Sequence, residues 1–465
     1  MGSMLTTWPA GLPVRQQIPL PLRVMGFTLA VSSPLWLWAL FHASNLYFSY
    51  TTNSGPLLVL LIAAANIPLL LHVTRSDPYL RAVMAVGMLA KLAAASLYLY
   101  MVFHIYEAAS DSLMYFSQGQ IYAYDVNSIG RWQLLQPFWS NNFINMLSGA
   151  LQVFLGSSIQ ALTVLFAMAS FWGDYLFYRA FCETSPNGDH RLAAAFFFLL
   201  PSIIFWPACI GKDAVILFFL GGTMRAFAIV SHRFAPLGLS GLFLFGAGVM
   251  LVRPHVALML AISLLLPFVV SRNRRGFLGI LSRFVAAPLL LLGTLYLASA
   301  AQKFLEVENI AQGASLVRRV GVNNYVGGSA FQGHASLAAR VLAAPVLFFR
   351  PFPWEVHSLQ AVIAAGEGLL LAFLVWKRRR ELMLALRASR ETAVILAAIL
   401  FVAQFSIIFS AAITNFGLLA RQRVMAMPFL VLLLWFHKTP AARAWPPASA
   451  ANPSALATAA GTRWP

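Results

Sequence analysis

The sequence predicts an all-α polytopic membrane protein, a transmembrane helix bundle of about twelve spans with interfacial helices in two long outer loops. Three observations predict it. Of 465 residues, 60% are hydrophobic and 10% charged, against about 45–50% and about 25% in soluble domains. Apolar runs such as 57–71, 285–298 and 393–412 approach the roughly 20 residues that cross about 30 Å of hydrocarbon. Most of the Lys and Arg behind the net charge of +18 lie in short links between such runs. In a membrane protein that is a topology signal and not a nucleic-acid footprint, so membrane lipids are expected partners and nucleic acid is not.

Apolar runs bounded by Pro, Gly or charge fall at 24–47, 56–74, 80–103, 157–181, 191–210, 213–231, 235–252, 255–271, 280–300, 359–376, 391–414 and 422–437. With the N terminus inside, this even count returns the C terminus inside. It also places Arg75/Arg81, Arg191, Arg233, Arg272/Arg274/Arg275/Arg283 and Lys377–Arg380 in or beside cytoplasmic links, as the positive-inside rule requires. Two long segments, 104–156 and 301–358, then lie outside. Residues 1–438 form a single transmembrane domain. Residues 439–465, rich in Ala, Pro, Ser and Thr, bury too little apolar surface to fold and are expected to be a disordered cytoplasmic tail. The first 23 residues show Arg15 and Arg23 but no short apolar core with a small-residue cleavage site, so no cleaved signal peptide is expected. Cys182 and Cys209 fall beside different membrane boundaries, which disfavours a disulfide, and no metal-type cysteine spacing occurs.

The polar residues that could carry chemistry collect in the outer segments. If the third span continues as helix, His104, Glu107, Asp111 and Tyr115 share one face. Two carboxylates beside an imidazole suit a general base, for which Asp111 is the first choice with Glu107 beside it, or a divalent metal site of His104, Glu107 and Asp111. The plainer reading is a helix end turning polar as it meets water. Residues 114–124 and 138–154 mix aromatics with Gln, Asn and Ser, as helices in the interface plane do. Lys212, at the tight turn Ile210-Gly-Lys-Asp213, either contacts a lipid phosphate or snorkels to headgroups. Arg253, before Pro254 and His255, is one of few outer arginines, and the same two readings apply.

In the second outer segment the stretch Gly321-Val-Asn-Asn-Tyr-Val-Gly-Gly328, which carries Asn324 and Tyr325, and then His334 allow close backbone approach to a sugar or phosphate. Trp354 offers a stacking face or an interface anchor, Glu355 either binds hydroxyls or pairs with Arg350, and His357 is a further hydroxyl ligand. Arg421 and Arg423 open the last span, and they reach one anion together only if the helix starts near Arg421. Planar guanidinium groups suit phosphate or pyrophosphate there. Lys91, Asp174 and Glu367 lie inside spans, where pairing within the bundle or proton relay would explain them.

An acidic residue in an early outer loop, interfacial helices after it and outer-face arginines together resemble the GT-C class of polyprenyl-phosphate-dependent membrane glycosyltransferases and the neighbouring lipid-linked oligosaccharide polymerases. Asp111 falls at the acidic position, and Arg421, Arg423 and Arg253 match the phosphate-binding role by chemistry. Here the acidic loop follows the third span and not the first, and it contains no Asp-X-Asp.

The resemblance implies a GT-C-like fold and an inverting transferase acting at the outer face, and the basic-inside bias with no eukaryotic targeting signal points to the bacterial inner membrane, with both termini cytoplasmic and the site facing the periplasm. It would move a sugar from a polyprenyl-phosphate donor to an envelope glycan or lipid acceptor, with Mg or Mn as a candidate cofactor. The sugar and acceptor contacts would be Tyr115, Asn324, Tyr325, His334, Trp354, Glu355, His357 and His255. A repeat-unit polymerase is the alternative within enzymes. A transporter or flippase of a lipid-linked or anionic solute is the alternative outside them.

Overall fold

The structure is a computed structural model and describes residues 18–45, 54–232, 235–270, 344–356, 358–413 and 415–437, with 288, 291 and 292. Among these residues the chain is helical, without a strand. The helices are α1 Leu20–Val31, α2 Ser33–Asn45, α3 Gly55–Val73, α4 Pro78–His104, α5 Asp111–Ile129, α6 Asn141–Leu155, α7 Ile159–Thr184, α8 His190–Leu199, α9 Pro201–Phe205, α10 Lys212–His232, α11 Pro236–Val252 and α12 Pro254–Val270. Then follow α13 Leu359–Lys377, α14 Arg379–Ala388, α15 Ala393–Ala412, α16 Phe416–Arg423 and α17 Met427–Leu434. Two short 3₁₀ turns, Ala344–Phe349 and Pro353–Glu355, precede α13.

Local sequence explains many of the starts. Asp77 accepts from the Leu80 N–H at 3.0 Å with Pro78 in the first turn of α4, and Ser158, Asp189 and Asn415 cap α7, α8 and α16 in the same way. Gly130, at φ 70°, closes α5 in the left-handed region.

Helices α3, α4, α7, α10, α13 and α15 are long and apolar enough to cross a membrane. The count rises to eight if each of the bent pairs α1/α2 (46°) and α16/α17 (58°) is one span, and α8, α11 and α12 are shorter apolar helices. Three expected spans are therefore not straight, the first among them bending between α1 and α2. The fifth breaks at extended Leu200, where Pro201 has no N–H with which to continue the ladder, and the last bends between Arg423 and Met427. The expected ninth span apart from 288, 291 and 292, the outer segment from 301 to 343 and the tail 439–465 lie outside the described residues.

Helices α4, α7 and α10 are buried along most of their length and form the centre of the bundle. By contrast α3 turns Leu57, Leu60, Leu61, Leu69 and Leu71 outward, as expected of a helix facing lipid tails. Small residues let α7 and α10 approach backbone to backbone. A Cβ at Gly221 would fall on the Gly173 carbonyl oxygen, and one at Gly173 would meet the Leu217 backbone. Gly221→Ala is therefore expected to lower stability by about 1–3 kcal/mol, the usual range for overpacking. Gly246→Ala, which faces open space in α11, is the matched control. Thermal unfolding of the two variants in detergent checks this, and equal melting would contradict the close contact.

Two ion pairs lie inside the bundle. Lys91 Nζ of α4 donates to Asp174 Oδ2 of α7 at 2.7 Å, both fully buried. Arg423 of α16 donates to Glu367 of α13 at 3.0 Å, and the Ser202 hydroxyl and N–H of α9 also donate to Glu367. Desolvated charges persist in a protein interior only when matched in this way.

The bundle has two chemically distinct ends. At one, Tyr79 contacts Arg191 through its ring and its hydroxyl, Arg378 lies 3.9 Å from Asp189, and the Ser185 hydroxyl donates to the His437 carbonyl. The basic links at Arg75/Arg81, Arg191 and Lys377–Arg380 thus share one end. At the other end are the starts of α5, α10 and α13, where the Gln360 amide donates to the Tyr106 hydroxyl at 2.8 Å.

Candidate functional site

The site lies at this second end and is assembled by turns. Helix α4 stops at His104, and the chain reverses through Glu107 (φ 49°) and Ala108 (φ 65°) before Ser110 caps a new helix at Asp111. The continuous helix that would align His104, Glu107 and Asp111 is not formed. His104 packs instead on Tyr100, with ring centroids 4.3 Å apart. The three expected metal ligands do not converge, and among the described residues no group of three or more His, Cys, Asp or Glu could hold a metal ion.

Asp111 points to a residue 310 positions away: Arg421 Nη1 donates to its Oδ2 at 2.9 Å. Arg421 Nε also donates to Asp213 Oδ2. Asp213 lies in the first turn of α10, where a helix start favours negative charge. Its other oxygen accepts from Arg253 Nη2 at 2.5 Å, and Arg253 Nη1 donates to the Gln422 side chain. Arg253 Nε is left without a described partner. Beside this chain of contacts, Lys212 Nζ donates to the Ser140 hydroxyl at 2.7 Å, and the Ser140 N–H donates to the Leu251 carbonyl at 2.7 Å. These bonds tie the start of α6 to the start of α10 and to the end of α11. Tyr115, buried, donates from its hydroxyl to Asn141 Oδ1 at 2.9 Å. Burial, and after it the Asp111 carboxylate, hold the Tyr115 phenol well above its ordinary range, so it serves as a neutral donor.

Three cations, Lys212, Arg253 and Arg421, therefore face two carboxylates, Asp111 and Asp213. Four helices, α5, α6, α10 and α12, also begin around this cluster. Their dipoles add to the positive potential. Chemically the arrangement can take up an anion and can present a carboxylate to it.

Other expected site residues fall elsewhere. Arg423 does not join Arg421. Helix α16 starts at Phe416 and not near Arg421, so the two side chains diverge, and Arg423 is sealed against Glu367 and the carbonyls of Phe348 and Arg350. Both arginines sit in the last turn of α16, where positive charge is favoured by the dipole. Glu355 pairs with Arg350 and accepts from the Phe352 N–H at 2.8 Å. Trp354, 76% exposed, stacks on Phe352. His255 turns toward Phe409 of α15. Asn324, Tyr325, His334 and His357 lie outside the described residues.

The residue that sequence reasoning passed over is Asp213. Its signal in the sequence is an acidic residue beside Lys212 at a helix start, where the helix dipole favours a carboxylate without any distant arginine.

Fold and site together define a membrane-embedded, all-helical protein with an ionic cluster at one end of its bundle. No family model, curated protein or solved structure matches the chain.

Proposed function

We propose that the protein is an integral membrane glycosyltransferase, which moves a sugar from a polyprenyl-phosphate donor to an envelope glycan or lipid acceptor at the outer, periplasmic face of the bacterial inner membrane. One observation carries the reading: the Asp111 carboxylate touches Arg421 inside a cluster with more cations than anions, at the bundle end opposite the basic links. The basic end is cytoplasmic by the positive-inside rule, and the shorter apolar helices α8, α11 and α12 are candidates for further crossings in a GT-C-like bundle of about twelve spans.

In the proposed reaction the acceptor oxygen attacks the anomeric carbon with inversion as the bond from that carbon to the phosphate oxygen breaks. The electron pair leaves with the polyprenyl phosphate, whose developing charge Arg421 and Lys212 stabilise, with Arg253 behind them. Asp111 takes the proton of the acceptor hydroxyl. Of the two roles open to Lys91, Asp174 and Glu367, pairing within the bundle is supported by the contacts Lys91–Asp174 and Arg423–Glu367.

Purification from native membranes, identification of bound lipids by mass spectrometry and assay of sugar transfer from the lipid so identified tests the proposal. A polyprenyl-phosphate sugar that turns over supports it. Absence of such a lipid, with thiol reagents reaching engineered cysteines along a path through both leaflets, would replace it with transport.

A further inference from the structure

Arg421 holds two carboxylates that are not alike. The Asp213 side chain is 2% exposed and is gripped by both Arg421 and Arg253, whereas that of Asp111 is 53% exposed and meets Arg421 through one guanidinium nitrogen. Removing the buried carboxylate strands two desolvated cations. Releasing the half-exposed one forfeits little, because exposed ion pairs contribute weakly. Lys212 meanwhile is partly exposed and donates to a neutral hydroxyl, so the cluster keeps one positive charge in excess.

We infer that Asp111 is a stand-in for the ligand's phosphate: it occupies the outward edge of Arg421 and yields that edge to a phosphate ester, while Asp213 keeps Arg421 and Arg253 in position. The inference rests on the phosphate-binding reading above and adds an order of events to it. An arriving phosphate exchanges one charge-assisted hydrogen bond to Arg421 for another, and Lys212 lies beside it for a second. The displaced Asp111 carboxylate is then free to receive a proton from the acceptor hydroxyl. Seating the donor and freeing the base become one event, which leaves the base occupied whenever the donor is absent. Asp213 acts as a positioning residue throughout and never meets the ligand.

The test is binding of farnesyl phosphate and of inorganic phosphate to the full chain in phosphatidylcholine nanodiscs, measured calorimetrically for the unaltered protein, Asp111→Asn, Asp111→Ala and Asp213→Asn. Removing the competing carboxylate is expected to tighten binding by roughly two- to fivefold in both Asp111 variants, the scale of an exposed ion pair. Asp213→Asn is expected to weaken binding by about tenfold or more as the arginines lose their anchor. Binding of farnesyl phosphate alone would identify a lipid ligand, and binding of both would identify the phosphate group itself. If the unaltered protein binds but the Asp111 variants bind equally or more weakly, the stand-in role is overturned and the phosphate site stands. If neither compound binds any of the four proteins, the phosphate site fails and the stand-in role with it. Should Asp213→Asn not fold, the Asp111 variants decide the question alone.

Discussion

Asp111→Asn is expected to transfer sugar about 10²–10⁴-fold more slowly than the unaltered protein, the range that a positioned general base contributes. Asparagine has nearly the same shape and still accepts a hydrogen bond from Arg421, so the loss isolates the proton-accepting role from the packing of α5. Asp111 is half exposed and begins a helix that Ser110 caps independently, so the variant should keep the melting temperature of the parent. Single-turnover transfer from a purified donor lipid measures the effect. Unchanged turnover would remove Asp111 as the base, even if phosphate binding were intact.

The second large effect is on stability. Arg423→Ala is expected to destabilise the protein by about 3–5 kcal/mol, because buried Glu367 loses its counter-charge and the carbonyls of Phe348 and Arg350 lose their donor. Replacing both partners with apolar residues of similar volume, Arg423→Met with Glu367→Leu, should restore much of that loss, since neither charge is then left unpaired. Unfolding in graded denaturing detergent reads both changes. A structural role also predicts that the double variant regains turnover. A double variant that is stable yet inactive would instead return Arg423 to the ligand site.

Much of the fold was legible because membrane residence leaves a strong compositional trace. The lengths of α3, α4, α7, α10 and α15 and the grouping of basic links at one end follow from local residue choice and short-range rules. Three features were not legible, each for a different reason. The reversal at Glu107–Ala108 places two non-glycine residues at positive φ, a conformation that no periodicity announces, so the face expected to unite His104, Glu107 and Asp111 was drawn across a turn. The relation between Arg421 and Arg423 depended on where α16 begins, and a shift of one turn in that start separates one shared anion from two unrelated partners. The pairs of Asp213 with Arg421 and Lys91 with Asp174 join residues 208 and 83 positions apart, so they follow from helix packing and not from any local pattern.

The partner of Lys91 also constrains how the chain can enter the membrane. Helix α4 leaves the ribosome with its ammonium group unmatched, and Asp174 follows 83 residues later. At ordinary rates of synthesis that interval is on the order of ten seconds. A lysine near the middle of a span disfavours insertion by about 2.5–3.5 kcal/mol. That cost is offset once α7 brings Asp174 beside it, so α4 and α7 suit the bilayer better together than α4 does alone.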